Sequence, residues 1–236
     1  MIWLRSALYA LGMLVFTPLY TFVILSSYPC GPLLRYRVIR LWSVAMLAWL
    51  RVTCGLTYRV IGAENIPAQA AVVLSKHQSA WETLAFQSIF PPQVWVLKRE
   101  LLRLPFFGWA LALSSPIAID RGTSRQALKQ LLDQGKDRLA QGFFVVIFPE
   151  GTRIKPGQRG KYKVGGAWLA THSGAPAVPV AHNAGEFWGR NAFLKHPGVI
   201  TVSIGQPIAP AGLKADELNA RVETWIENEM PHLHEK

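Results

Sequence analysis

The chain has 236 residues, half of them hydrophobic, with a formal net charge of +11 and a mean hydropathy of +0.20. This length suits one domain, or one domain with a membrane-attachment segment, and the charge indicates an anionic partner such as lipid headgroups, a phosphorylated ligand, an acidic carrier or nucleic acid. The basic residues form no long Lys/Arg blocks and the two cysteines have no metal-ligand spacing, so the composition counts against nucleic acid and against a metal site.

The N-terminal sequence predicts membrane attachment. Residues 6–27 carry no charge and are numerous enough to cross a hydrocarbon core. A second apolar run, 41–50, is too short to span comfortably and is expected to lie in the interface or to re-enter the membrane. Residues 28–40 between them are predicted to form a loop, and the arginines of this loop favour the cytoplasmic side of the membrane.

Two other interpretations apply to residues 6–27. A cleaved signal peptide would need a small-residue cleavage site, and none follows cleanly. A buried core helix would leave unexplained the tryptophans near the ends of the apolar runs, where interfacial aromatics belong: Trp3, Trp42 and Trp49. The sequence therefore favours a membrane-anchoring segment over 1–56, followed by a catalytic or binding domain over 57–236.

From about residue 57, short β-branched runs alternate with helical periodicity. Strands are predicted over 56–62, 70–75, 93–98, 116–120, 143–148, 175–182 and 199–205. Helices are predicted over 82–90, 100–115 with a break near Pro105, 123–142 and 214–230. This alternation is typical of an α/β fold with a mixed, largely parallel sheet flanked by helices, here with an N-terminal membrane-attached helical pair.

Polar turns follow three of the predicted strands and read SKHQSAWE, IDRGTSR and FPEGTR. Ligands of open α/β sheets bind beyond the carboxyl ends of the strands, so we expect these turns to form one site. In the third turn, Arg153 offers a planar guanidinium for phosphate and Gly151 permits close approach of a ligand. Arg121 in the second turn could converge on the same anion. Further basic residues follow the third turn, of which Lys155 and Arg159 are interpreted as surface charges, while Lys161 and Lys163 stay open.

In the first turn, His77 and Glu82 are a candidate base and its orienting carboxylate. On one continuous helix, residues five apart point away from each other, so a contact requires His77 to precede the helix. A carboxylate bound to one imidazole nitrogen leaves the other nitrogen free to accept a proton. Glu82 also has a structural interpretation, because residues 79–82 match a capping box, in which Glu82 would bind the backbone N–H of Ser79. The two roles are compatible.

No G-x-S-x-G elbow, Walker loop or dinucleotide fingerprint is present, so a serine acyl-enzyme and nucleotide binding are unsupported. The remaining features are a histidine base, an oriented carboxylate, arginines suited to phosphate and an apolar N-terminus. That combination fits direct attack by an alcohol carried on a phosphorylated lipid.

Four motifs, in order, resemble those of the 1-acylglycerol-3-phosphate acyltransferases of the glycerolipid acyltransferase superfamily. The family's His-x-x-x-x-Asp is matched by HQSAWE, with Glu82 in place of aspartate, and its Phe-Pro-Glu-Gly-Thr-Arg is unaltered at 148–153. Its Gly-x-x-Phe-Ile-x-Arg is matched by SPIAIDR, with Ser115 for glycine, Ala118 for phenylalanine and Arg121 kept. The proline-containing fourth motif is matched by AVPV.

The resemblance implies transfer of a fatty acyl chain from acyl-CoA or acyl-carrier protein to the sn-2 hydroxyl of lysophosphatidic acid, giving phosphatidic acid, with no metal or organic cofactor. It implies that His77 is the general base and that Glu82 orients it. It also implies that the glycerol phosphate is held by Arg121, Glu150, Gly151, Thr152 and Arg153. The expected location is the cytoplasmic face of the inner membrane, where the N-terminal segment contacts phospholipid.

Two alternatives stay open. The same chemistry could act on another lyso-lipid acceptor, such as a lyso-ornithine lipid, because the second motif is altered and glutamate replaces aspartate in the first. A non-enzymatic membrane protein that binds acidic lipid would also explain the net charge of +11 and the amphipathic segments.

Overall fold

The computed structural model describes residues 1–119 and 124–234, which form a mixed seven-stranded sheet with helices on both faces. The strands are β1 (Leu56–Ile61), β2 (Val72–Ser75), β3 (Gln93–Lys98), β4 (Ile117–Ile119), β5 (Phe144–Ile147), β6 (Ala177–His182) and β7 (Gly198–Ile204). The helices are α1 (Ile2–Ser26), α2 (Pro32–Cys54), α3 (Trp81–Ile89), α4 (Phe107–Leu113), α5 (Ser124–Ala140), α6 (Gly165–Ser173), α7 (Ala184–Phe187) and α8 (Ala215–Glu229). Every predicted strand is present close to its predicted bounds.

The strand order in the sheet is β1-β7-β6-β2-β5-β3-β4. Strands β6, β2, β5, β3 and β4 run parallel to one another, whereas β7 pairs antiparallel with β6 and parallel with β1. The central strands β2 and β5 are continuous apolar runs, as expected where a parallel sheet is covered on both faces. The predicted mixed, largely parallel sheet flanked by helices is confirmed.

A hydrophobic cluster lies on each face of the sheet. Successive residues of β2 point to opposite faces, so Val73 packs with α2 and α3, while Val72 and Leu74 pack with α5, α6 and α8. On the first face, the buried Leu50 of α2 and Phe86 of α3 share one cluster. Helix α2 is thus part of the same core as the sheet.

Helix α2 begins earlier than the sequence suggested. The predicted loop over 28–40 is wrong for residues 32–40, which are helical. Pro32 occupies the first turn, where its missing N–H is not needed, and Gly55 ends the helix in the left-handed conformation at φ 67°. The arginines of this segment therefore lie on a helix, and Arg40 donates from Nε to the Gln87 carbonyl at 2.9 Å.

Helix α1 carries its apolar side chains outward. Within the described residues it is the one helix long and apolar enough to cross a membrane, with 17% of its most apolar window buried. Its inward side includes Ser6, Tyr9 and Thr21, whereas its exposed large apolar residues are Trp3, Leu4, Leu8, Leu11, Leu14, Val15, Leu19, Phe22 and Val23. An apolar outer face and a partly polar inner face suit contact with lipid.

Both ends of α1 contact other elements of the protein. Ser6 Oγ accepts a hydrogen bond from the Lys195 backbone N–H at 3.0 Å, and the Thr21 hydroxyl lies 3.4 Å from the Phe106 carbonyl. Helix α1 therefore packs against the surface of the domain along its length, from Ser6 to Thr21. Trp42, interpreted from the sequence as an interfacial residue, instead belongs to the core cluster, because α2 turns that side chain toward the sheet.

Candidate active site

The site forms where two neighbouring parallel strands end. Leu74 of β2 pairs in register with Ile147 of β5, so the loops after these strands leave the same edge of the sheet side by side. The first loop carries His77, and the second carries the FPEGTR turn over 148–153. The structure thus brings together two of the three polar turns on which the sequence prediction rests.

His77 and Glu82 are in direct contact. The His77 Nδ1 atom lies 2.7 Å from Glu82 Oε1, and the Glu82 side chain is fully buried. Because His77 lies in the loop before α3 and Glu82 in its first turn, the two side chains converge as the sequence required. Glu82 as acceptor fixes the proton on Nδ1 and leaves Nε2 free to accept a proton.

Glu82 also holds the start of α3. Its Oε1 accepts the backbone N–H groups of Gln78 at 3.0 Å and Ser79 at 2.9 Å, so the returning contact of a capping box is present. The helix itself starts at Trp81, whose N–H donates to Ser79 Oγ at 3.1 Å. Burial raises the pKa of the Glu82 carboxyl, but the hydrogen bond from His77, electrostatic attraction to His182 and His77, and the Ser79 N–H together outweigh burial, so its pKa lies below the usual range.

The His77 ring and backbone are held by the second loop. Phe148 stacks on the imidazole with ring centroids 3.9 Å apart and an interplanar angle of 11°. The His77 N–H donates to Glu150 Oε2 at 2.9 Å, and the His77 carbonyl accepts the Ile154 N–H at 2.7 Å. Phe148 carries no predicted role, although its place at the end of a buried strand, beside the predicted site, is a signal that the sequence contains.

A large cavity opens beside this pair. Its volume is about 1220 Å³, and both His77 and Arg153 are among its lining residues. Most of its wall is apolar and comes from several elements, including Leu84, Trp95, Leu101, Phe107, Leu111 and Leu128. A mostly apolar space of this size, with cationic side chains in its wall, is suited to a ligand that has a charged group and a long apolar chain.

The predicted phosphate-binding residues differ in their placement. Gly151 and Arg153 line the cavity, whereas Thr152 is exposed and is not a lining residue. The Arg153 Nε atom is buried and has no hydrogen-bond partner among the described residues, so it is available to an anionic ligand. Arg121, which is also predicted to bind the phosphate, lies outside the described residues.

Glu150 points into the protein. Its Oε1 lies 2.8 Å from the Lys76 ammonium, and its Oε2 accepts the His77 N–H at 2.9 Å. Burial raises the pKa of the Glu150 carboxyl, and the Lys76 ammonium offsets part of this effect. These contacts indicate that Glu150 supports the histidine loop. They give no support to the predicted direct contact with substrate.

Gly151 and Ser115 show why the motifs favour glycine. Gly151 has φ 67°, and a Cβ atom there would lie 2.8 Å from Lys163 Nζ, so a side chain would disturb both the turn and the lysine. Ser115 has φ 56°, in the left-handed region, at the position where the second motif of the resembled family has glycine. Its carbonyl accepts from Arg138 Nε at 2.8 Å, which holds the residue in place.

Three lysines add positive charge to the cavity wall: Lys98, Lys161 and Lys163. From the sequence, Lys161 and Lys163 are only further basic residues after the FPEGTR turn, and Lys98 carries no predicted role. Lys98 ends β3 at the same edge of the sheet as His77, so the strand-end rule that selected the polar turns could also have selected Lys98. The other two follow the FPEGTR turn, and only the fold of residues 154–164 shows that they face the cavity.

Comparisons with known proteins identify the family of the chain. A family model described as Acyltransferase matches residues 57–183. The 1-acyl-sn-glycerol-3-phosphate acyltransferase of Pseudomonas aeruginosa is 49% identical, and the match covers 84% of this chain and 79% of that protein. The human 1-acyl-sn-glycerol-3-phosphate acyltransferase beta is 31% identical, over 66% of this chain and 57% of the human protein.

The fold also matches a solved structure. The crystal structure of the 1-acyl-sn-glycerophosphate (LPA) acyltransferase PlsC from Thermotoga maritima aligns with a TM-score of 0.81 at 21% identity, covering 99% of this chain and 96% of that one. This likeness extends through α1 and α2, because it covers nearly the whole chain. That likeness concerns the fold. The family model and the 49% identity to the Pseudomonas aeruginosa enzyme show that this chain belongs to the acyltransferase family and confirm the predicted kinship with the 1-acyl-sn-glycerol-3-phosphate acyltransferases.

Proposed function

We propose that the protein transfers a fatty acyl chain from an acyl thioester, acyl-CoA or acyl-carrier protein, to the sn-2 hydroxyl of lysophosphatidic acid, giving phosphatidic acid. The observation that carries the proposal is the 2.7 Å contact between His77 and the buried Glu82, on the wall of a cavity that Arg153 also lines. The activity named for the relatives, 1-acyl-sn-glycerol-3-phosphate acyltransferase, supports this acceptor and product.

His77 is the proposed general base. Its Nε2 takes the proton of the sn-2 hydroxyl as the oxygen attacks the thioester carbonyl, and the C–S bond then breaks. The proton on the imidazolium passes to the departing thiolate, so the histidine returns to its starting state. The negative charge of Glu82 stabilises the imidazolium during this cycle, and the Phe148 stack keeps the ring plane fixed.

The acceptor's phosphate is proposed to bind at the cationic side chains of the cavity wall. Arg153 offers a planar guanidinium whose Nε has no partner among the described side chains and backbone groups. The lysines at positions 98, 161 and 163 add positive charge to the wall of the same cavity. The apolar walls are proposed to take acyl chains, and the exposed apolar face of α1 to dock the protein on the cytoplasmic face of the inner membrane.

Replacing Arg153 by alanine should raise the KM for lysophosphatidic acid by about 10- to 100-fold, because a charge-assisted hydrogen bond to phosphate contributes about 1.5–3 kcal/mol. The effect on kcat should be smaller, since the guanidinium does not take part in proton transfer. Steady-state kinetics at varied acceptor concentration would measure both constants.

The matched control is Arg159→Ala. Arg159 follows in the same loop but is exposed and pairs with Glu223 at 2.7 Å. Its loss should leave KM within about twofold, as expected for an exposed ion pair. An unchanged KM in Arg153→Ala would rule out this residue as the phosphate ligand.

The acceptor is tested by product analysis. Purified protein in lipid vesicles is given one acyl-CoA or one acyl-carrier protein, together with lysophosphatidic acid, a lyso-ornithine lipid or another lysophospholipid. Phosphatidic acid should be the dominant product. Turnover of another acceptor without turnover of lysophosphatidic acid would contradict the proposed acceptor while keeping the acyltransferase chemistry.

A further inference from the structure

A largely buried cluster of charges adjoins the loop that carries the proposed base. Lys76, the residue before His77, is 1% exposed, and its ammonium lies 2.8 Å from both Glu150 Oε1 and Glu227 Oε1. Glu227 belongs to α8, and its Oε1 also accepts the Tyr162 hydroxyl at 2.8 Å. The cluster therefore joins the loop after β2, the FPEGTR turn and the C-terminal helix.

The cluster is connected to His77 through Glu150. One carboxylate oxygen of Glu150 faces Lys76, and the other accepts the His77 backbone N–H at 2.9 Å. The His77 carbonyl accepts the Ile154 N–H at 2.7 Å, so both backbone groups of His77 are held by the same neighbouring loop. A shift of Glu150 would therefore move the backbone from which the imidazole projects.

Little room is left for the Glu150 carboxylate to move. A Cβ atom at Gly160 would lie 3.0 Å from Glu150 Oε1, so the backbone of the following loop closes over this oxygen. The Lys76 carbonyl accepts a hydrogen bond from the buried His182 Nε2 at 2.9 Å, which holds the lysine backbone from the opposite side. Glu227 of α8 completes the cluster by accepting hydrogen bonds from the Lys76 ammonium and the Tyr162 hydroxyl, each at 2.8 Å.

We propose that Lys76 and Glu227 are positioning residues, which hold Glu150 and thereby fix the backbone of His77 in the orientation that proton transfer requires. This inference rests on the proposed role of His77 as general base. It assigns a catalytic contribution to α8, which lies outside residues 57–183 matched by the family model. Neither residue is assigned a contact with substrate or thioester.

The physical basis is the cost of an unpaired buried charge. Without Lys76, the buried Glu150 carboxylate would face the partly buried Glu227 carboxylate without a cation, and the loop would rearrange to hydrate or separate them. A displacement of the base by about 1 Å can lower a rate by about 100-fold. Loss of Glu227 should lower the rate less than loss of Lys76, because Lys76 and Glu150 still form a neutral pair.

The decisive comparison uses two substitutions on one helix. Glu227→Gln should lower kcat by about tenfold with the KM for lysophosphatidic acid within about twofold, as expected when a supporting residue shifts a reacting group. Glu223→Gln, one turn earlier on α8 and paired with the exposed Arg159, should leave both constants unchanged. Lys76→Met should lower kcat by about 100-fold, and Lys76→Arg should restore part of it.

A purely structural role would give a different pattern. Thermal unfolding of each variant measures the folded fraction, and under a structural role kcat per folded molecule would equal that of the wild type. That result in Glu227→Gln would overturn the inference even if Lys76→Met fails to fold. If His77→Ala is inactive while Glu227→Gln and Lys76→Met keep the wild-type kcat, only the positioning role fails. If His77→Ala stays active, the proposed function itself fails.

Discussion

Replacing His77 by alanine should reduce acyl transfer by about 10²- to 10⁴-fold, the usual contribution of a positioned general base. Activity should fall because the imidazole supplies the base: its Nδ1 lies 2.7 Å from Glu82 Oε1, and its Nε2 is left to take the hydroxyl proton. Binding to lipid vesicles should be preserved, because the exposed apolar face of α1 does not include His77. Transfer of a radiolabelled acyl chain and vesicle flotation would measure the two properties on the same sample.

His172→Ala is the control for this prediction. His172 is exposed on α6, where its Nδ1 lies 2.8 Å from the Trp168 carbonyl, and it should be replaceable without loss of transfer. Full activity in His77→Ala would mean that another group removes the proton. Vesicle binding without turnover in the wild-type protein, for every lyso-lipid and donor tried, would favour the non-enzymatic lipid binder instead.

Replacing Glu82 by alanine should also reduce kcat by at least about 100-fold, because the imidazole loses the partner that fixes its tautomer and stabilises its charge. Glu82→Asp should keep appreciable activity, since a carboxylate one methylene shorter can still accept from His77 after a small shift. The loss in Glu82→Ala should appear in kcat more than in KM, and steady-state kinetics separates the two.

Glu82→Gln distinguishes the catalytic role from the capping role. Its amide oxygen can still accept the Gln78 and Ser79 N–H groups that Glu82 Oε1 accepts at 3.0 and 2.9 Å, but it carries no charge. We expect near wild-type thermal stability with a large loss of kcat. If Glu82→Ala turns over like the wild type and is only less stable, Glu82 caps the helix and does nothing more.

The contact between His77 and Glu82 could be predicted because it is local. The two residues are five positions apart, and one helix start places them together. The sheet was predictable for a similar reason, since buried runs such as the VVLS of β2 and the FVVI of β5 have few other stable arrangements in an α/β pattern.

Contacts that join distant parts of the chain were not predictable from the sequence. Lys76 and Glu227 are 151 residues apart, and nothing in either local pattern indicates the other. The direction of the Glu150 carboxylate follows from that pair, so the sequence could place Glu150 at the strand end but could not show that it points inward. The extent of α2 was missed because its arginines lower the hydropathy of a segment that is helical.

The position of α1 has a consequence for how the rate would depend on the lipid phase. Thr17 and Ile24 of α1 and Phe107 of α4 line the same cavity as His77. The cavity therefore borders the helix whose outer face is proposed to contact the bilayer. An acceptor could then enter by sideways diffusion, without crossing bulk water. Velocity should therefore follow the mole fraction of acceptor in the vesicle, and dilution with inert phospholipid at constant total acceptor should slow turnover.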